Sequence, residues 1–183
     1  TSNQASATFA TTWQSAQSQI GSGELAAALA TLSEAYNQSL SNQQRGQMVS
    51  LLDQLAGTVI YSRQHLLHPA YAPREGETIS QVATRQRVPA DFLARVNNIS
   101  PHEPLSSTMQ LKIVNGPFRA ELSPSRRELT LFLDRHYAGR FAVSIGSDFP
   151  AQITAFEVFE KAAGKPYLDP RTGQQIPAGD PTN

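Results

Sequence analysis

The chain has no cysteine. That excludes disulfides, thiolate zinc sites and a cysteine nucleophile within its 183 residues. It does not fix a compartment, because many bacterial envelope proteins also lack cysteine. Net charge is missing too. Fifteen Lys and Arg balance fifteen Asp and Glu, which removes the electrostatic case for nucleic acid or an anionic membrane surface. No apolar run is long enough to span a bilayer, and no charged–apolar–small leader opens the chain. The small-polar start at Thr1 leads us to expect a terminus set by processing or by choice of boundary.

Histidine is scarce, and His65, His68, His102 and His136 show no metal-ligand spacing. His65 and His68, three apart, are expected at the frayed end of a helix that Pro69 stops. No metal and no other cofactor is expected. Nucleophile patterns are absent as well. There is no Gly-x-Ser-x-Gly elbow, and Ser144 and Ser147 have no His–acid pair placed beside them. Glu157 and Glu160 would face opposite ways on a strand. Gly116-Pro117 and Gly173 read as turns, with no Lys-Ser/Thr to make a phosphate cradle. No catalytic residue is assigned.

What is present falls into three textures, at 1–69, 70–115 and 116–183. The first is helical. Phe9, Trp13, Ala16 and Ile20 mark one helix, and Leu25, Leu29, Leu32 and Tyr36 a second. Met48, Leu52, Leu55, Val59 and Ile60 mark a third, opened by a Ser41/Gln44 capping box and closed before Pro69. Three such stripes predict an antiparallel helical bundle, with a protein partner for these helices left open.

The second texture reads strand, helix, helix, strand. Tyr71-Ala72-Pro73 is extended, and Thr78 with Gln81 makes another capping box. Ile79, Val82 and Ala83 face inward on the first helix. Pro89 suits the first position of the second helix, whose inner residues are Phe92, Leu93 and Val96. Asn97-Asn98 suits its C-terminal cap. The alternation of Met109, Leu111 and Ile113 with Gln110, Lys112 and Val114 predicts a strand.

In order and residues this segment resembles the LysM domain. The resemblance rests on Tyr71, Gly76-Glu77-Thr78-Ile79, Val82-Ala83, Val88, Leu93, Asn97, Leu105 and Leu111-Lys112-Ile113. Glu77 stands where the family has Asp, and Ile79 where it has Leu. The resemblance implies a βααβ fold and binding of peptidoglycan or another N-acetylglucosamine glycan. It places the groove between two loops, which carry Glu75, Gly76, Glu77, Thr78 and Ile79 on one side and Asn97, Asn98, Ile99 and Ser100 on the other. Gly76 would let a sugar approach the backbone, Ile79 and Ile99 would give apolar contact, and Asn98 and Ser100 would add hydrogen bonds.

The third texture is β-rich. Phe118 to Leu122 is extended, and 127–146 reads as two strands about a turn near Arg135 to Gly139. Leu129, Leu131 and Leu133 would share one face, as would Phe141, Val143 and Ile145. A further strand is expected at 153–161, followed by a run of turns to Asn183.

This segment is similar to the opening of an L,D-transpeptidase catalytic domain, with its Leu-rich hairpin ending in Val143-Ser144-Ile145-Gly146. The family's Pro-x-Gly-x-Phe element is disturbed, since 150–156 is longer and lacks its Gly. The family attacks a peptidoglycan stem peptide with a cysteine thiolate activated by His. Its Ser-x-Gly-Cys-x-Arg segment is not in this sequence, so the chain as given should be inactive, and His136 matches no motif position.

The expectation is therefore an α+β chain: an N-terminal helical bundle, a central βααβ LysM module and a partial β-rich domain. We expect a fragment of a cell-envelope enzyme, a cysteine L,D-transpeptidase brought to peptidoglycan by its LysM module. The close in "PAGDPTN", with no final strand or helix, favours a fragment. The alternatives are a non-catalytic peptidoglycan- or chitin-binding protein with a degenerate β domain, and a helical protein-interaction scaffold.

Overall fold

A computed structural model of the chain describes residues 2–38, 40–101, 103–146, 166–169 and 172–178. The strand expected at 153–161, with Glu157 and Glu160, lies outside them, as do His102 and Ser147. The chain divides into two compact units, Thr1–Ile145 and Gly146–Asn183. Among its described residues the first contains five α-helices and a three-stranded antiparallel sheet, so the class is α+β.

The helices α1 (Ser2–Gly21), α2 (Leu25–Ala35) and α3 (Asn42–Ala56) follow the apolar spacing. Leu29 and Leu32 on α2, and Met48 and Leu52 on α3, are fully buried, as one stripe per helix requires. The capping box before α3 is formed. Gln44 N donates to Ser41 Oγ at 3.2 Å, and Ser41 N donates to Gln44 Oε1 at 3.1 Å. The third helix does not run on to Pro69. It widens into a π-helical turn, Gly57–Tyr61, and stops at Ser62. His65 and His68 thus lie in the irregular chain beyond the helix, not on its last turn. Val59 and Ile60 stay fully buried, so the widened turn keeps the apolar stripe on the core.

The helices α4 (Ile79–Gln86) and α5 (Ala90–Asn97) form the central module. Pro89 precedes α5 as its N-cap and is not its first helical residue. Ile79, Val82, Ala83 and Leu93 bury together with Val88, Leu105 and Leu111 in a small core of their own. The other side of α5 faces elsewhere. Val96 joins the large helical core, and Phe92 packs against it.

Residues 109–114 depart from the expected strand. Only Leu111 pairs, with Tyr71, through two bonds of 2.8 Å. Lys112, Ile113 and Val114 are all buried, which alternation cannot produce. The cause is Lys112, which is 2% exposed. Its Nζ donates to Val59 O at 2.6 Å and to Ser62 O at 2.8 Å. Carbonyls left over at a helix C-terminus attract a cation, and Lys112 turns inward to meet them.

Burial draws the pKa of Lys112 from 10.5 down to about 8. The unfolded chain holds this proton more tightly than the folded one. Stability is therefore lowest below about 8 and rises as pH climbs toward 10.5. Above 10.0 the buried Tyr36 and the partly exposed Tyr61 act oppositely, because they ionise first in the unfolded chain. We expect the urea midpoint to increase between about pH 8 and pH 10 and Lys112→Met to abolish the increase. A wild-type midpoint that is flat or falling over that range would refute the assignment.

The sheet has the order β1 (Phe118–Ser123), β2 (Glu128–Leu133), β3 (His136–Ala142). The hairpin turn is tighter than expected, Asp134-Arg135, because Leu133 pairs directly with His136. The face of β2 is also corrected. Glu128, Thr130 and Phe132 are buried, whereas Leu129 and Leu131 are only half-buried. A register shift at Leu131/Phe132 then lets Leu133 bury beside Phe132. Phe141 is 54% exposed, and Val143 and Ile145 lie beyond the end of β3.

Helix side chains explain this inversion. Tyr36 OH reaches both Glu128 Oε1 and Thr130 Oγ1 at 2.9 Å. Its ring meets Phe132 and Tyr137 at centroid distances of 5.7 and 5.2 Å. Arg45 Nη2 donates to Glu128 Oε1 at 2.9 Å, and Tyr137 OH donates to Asp53 Oδ1 at 2.5 Å. The sheet thus shares one core with α1–α3, within the same compact unit as the central module.

In the second unit, β4 (Tyr167–Leu168) pairs antiparallel with β5 (Gln175–Ile176). The turn between them is closed by Asp169 N to Gln174 O at 2.9 Å and Gly173 N to Asp169 O at 2.8 Å. The expected run of turns therefore includes a short hairpin.

Candidate functional site

The two loops named from the sequence differ in how they are held. Gly76 takes φ +73°, so the chain turns there in the left-handed region. The turn is stitched to the later segment: Gly76 N donates to Leu105 O at 3.0 Å, and Leu105 N to Glu77 O at 2.7 Å. Glu75 reaches across as well. Its Oε2 accepts from Ser107 Oγ at 2.7 Å and Ser107 N at 2.8 Å. Those bonds hold the Glu75 carboxyl below its ordinary pKa.

Three of the named side chains point inward. Ile79 is fully buried in the module core, so it gives no apolar contact to a ligand. Glu77 is buried, with Oε2 accepting from Arg74 N at 2.9 Å and Oε1 lying 2.5 Å from Arg85 Nη2. Asn97 is 2% exposed. Its Nδ2 donates to Leu93 O and Lys112 O, each at 2.9 Å, and its Oδ1 accepts from Lys112 N at 2.7 Å. It ties α5 to the returning chain. Thr78 is half-buried and caps α4: Gln81 N donates to Thr78 Oγ1 at 3.4 Å and Thr78 N to Gln81 Oε1 at 2.9 Å.

Asn98, Ile99 and Ser100 remain available. Asn98 is exposed and caps α5 in the left-handed conformation, φ 54°. Ile99 is half-buried and Ser100 exposed. Asn98 and Ile99 line a depression of about 490 Å³ with Asp91, Arg95 and Pro101. Glu75, Gly76 and Glu77 line another of about 370 Å³ with Arg74, Gln81 and Arg85. The two loops therefore line two separate depressions that share no residue, and not one continuous pocket. Comparison with family models, curated proteins and solved structures gives no match.

Arg85 is the neighbour of these loops that sequence reasoning missed. Its Nη1 donates to Tyr71 OH at 2.6 Å while Nη2 meets Glu77. The Tyr71 bond and the Glu77 charge hold the guanidinium above its ordinary pKa. Glu77 lies before α4 and Arg85 in its last turn, so no i, i+4 spacing announces the pair.

A larger cleft of about 590 Å³ opens where the linker, the module and the hairpin turn meet, lined among others by His68, Tyr71, Asn115 and His136. His136 is half-buried at the start of β3. Burial first, and the charge of Arg135 second, push its imidazole below its ordinary pKa, against the backbone of Leu133 and the charge of Asp134. Among the described residues no cluster of His, Asp or Glu could hold a metal ion.

Proposed function

We propose that residues 70–115 attach this chain to an N-acetylglucosamine glycan of the bacterial cell envelope, peptidoglycan in the first instance. In this reading the β segment from 116 onward is the front of an L,D-transpeptidase-like domain that the module holds near its substrate. One observation carries the reading. A small module with its own core presents two exposed left-handed backbone positions, Gly76 and Asn98, each beside an open depression. An N-acetyl group is recognised by accessible backbone donors and acceptors with a small apolar neighbour, here Ile99. Glu77, Ile79 and Asn97 act from within, as positioning residues. The antiparallel Leu-rich hairpin of β2 and β3 supports the transpeptidase part. Its chemistry needs a thiolate that these residues do not supply, so no step is assigned to them.

Gly76→Asn tests the reading. Asn tolerates the left-handed turn and adds a side chain where nothing stands within 4 Å. Binding of an N-acetylglucosamine hexamer, followed by calorimetry, is expected to weaken about tenfold, with the thermal midpoint little changed. Undiminished affinity would remove Gly76 from the contact. A wild-type chain that binds neither the hexamer nor insoluble peptidoglycan would sink the function itself.

A further inference from the structure

A groove stands on the helical part. The helices α1 and α3 flank a groove of about 490 Å³, lined by Trp13 and Gln17 from the first and Gln47, Ser50, Leu51 and Gln54 from the second. Its floor is apolar. Trp13 and Leu51 are half-buried against the large core, and the Phe9 ring fixes the indole at a centroid distance of 5.8 Å. Its rim is amide and hydroxyl. Gln17, Gln47, Ser50 and Gln54 are exposed, and among the described residues their side chains bond no protein group. Gly46 interrupts the wall in mid-helix, with nothing within 4 Å of where a Cβ would sit. Glycine there disfavours the helix by about 1 kcal/mol relative to Ala, and what it gains is a close approach to the backbone.

The groove lining holds no charged residue. Residues 1–23 contain no Asp, Glu, Lys, Arg or His. The charges of α3 are used elsewhere: Arg45 bonds Glu128, and Asp53 bonds Tyr137, both on the sheet. A ligand bearing carboxylate, phosphate or ammonium would find no counter-charge. A partner helix needs a broad apolar stripe, and Trp13 and Leu51 alone do not offer one. A neutral sugar fits. Its C–H face stacks on indole, and its hydroxyl and N-acetyl groups match amides that both donate and accept.

We propose that this groove is a second glycan-binding subsite, taking a short run of neutral N-acetylhexosamine units over Trp13. It rests on the chemistry of the groove and not on the reading of residues 70–115, so either can fail without the other. Two weak subsites on one chain would raise avidity for a long glycan.

Trp13 is the single tryptophan, so emission of the full chain reports on the groove directly. Titration with an N-acetylglucosamine hexamer is expected to shift that emission saturably, with a weaker response to a glucose hexamer and none to polygalacturonate. Gln47→Ala with Gln54→Ala should weaken the response about tenfold, and Ser50→Arg, which brings charge and bulk into the rim, should abolish it. All three positions are exposed, and far-UV circular dichroism checks that the helices persist. Gly76→Asn should leave the response intact. The subsite is overturned if calorimetry detects binding while Trp13 stays silent, if the rim variants respond like the wild type, if polygalacturonate gives an equal shift, or if Gly76→Asn abolishes it. A silent Trp13 with calorimetric binding that Gly76→Asn weakens would leave the central module as the glycan site. A Trp13 response insensitive to Gly76→Asn but lost in the rim variants establishes the groove whether or not that module binds.

Discussion

Glu128→Ala is expected to destabilise the chain by about 3 kcal/mol in urea unfolding, although it touches no candidate ligand position. Glu128 sits at the start of the central strand β2, with 12% of its side chain exposed. It accepts from Tyr36 OH at 2.9 Å, Arg45 Nη2 at 2.9 Å and Arg140 Nη1 at 3.2 Å. Its removal takes the shared acceptor from three donors, although Tyr36 OH keeps Thr130 Oγ1 at 2.9 Å and Arg45 Nη2 keeps Tyr36 OH at 3.0 Å. The side chains of Arg45 and Arg140 keep 22% and 45% exposure and can turn to water. That places the loss at the lower end of the roughly 3–5 kcal/mol typical of a broken buried pair. The same network predicts an acid limb. Burial alone would raise the pKa of Glu128, but the bonds from Tyr36 and Arg140 and the charge of Arg45 outweigh it and hold the carboxyl below 4.5. The folded state therefore releases this proton more readily than the unfolded one. Its contribution is complete above 4.5 and is lost as pH falls through the lowered value. Glu128→Gln should flatten that limb while losing less stability at neutral pH than the alanine. An acid limb as steep in Glu128→Gln as in the wild type would show that other carboxyls drive it.

That network also marks the limit of sequence reading. The capping boxes at Ser41/Gln44 and Thr78/Gln81 were legible because each is closed within three residues. The left-handed cap at Asn98 was legible for the same local reason. The inward face of β2 was not. Alternation favoured Leu129 and Leu131, whereas Glu128 and Thr130 are drawn inward by Tyr36, more than ninety positions earlier. Lys112 is a parallel case. Its period places it outward with Gln110, but carbonyls of Val59 and Ser62 call for a cation that only the folded chain brings near. In the candidate site the loops were legible and the division of labour within them was not. Ile79, Glu77 and Asn97 suit a loop surface by residue type or position, and only burial shows that they hold the loops from inside.

Asn97→Ala is expected to carry the largest loss, about 3–4 kcal/mol. The side chain satisfies both backbone groups of Lys112, the N–H at 2.7 Å and the carbonyl at 2.9 Å, and also bonds Leu93 O. Asn97 and Lys112 are each 2% exposed, so water does not readily replace the lost amide. Two unpartnered buried backbone groups at roughly 1–3 kcal/mol each set the magnitude. Leucine at this position would fill similar volume and still leave both unpaired, so Asn97→Leu should be nearly as damaging. Asn97→Asp keeps the acceptor for Lys112 N but faces two carbonyls with a buried carboxylate, and should be at least as damaging as alanine at neutral pH. The tie also holds 112–114, where Lys112 closes the π turn and Val114 enters the large core. Hydrogen exchange should therefore speed up at Val59–Ser62 as well as in α5. Glycan affinity, measured well below the lowered midpoint, should change little, because the Asn97 side chain lies inside the loop and not on it. A variant of normal stability that no longer binds glycan would reverse that assignment and return Asn97 to the ligand surface.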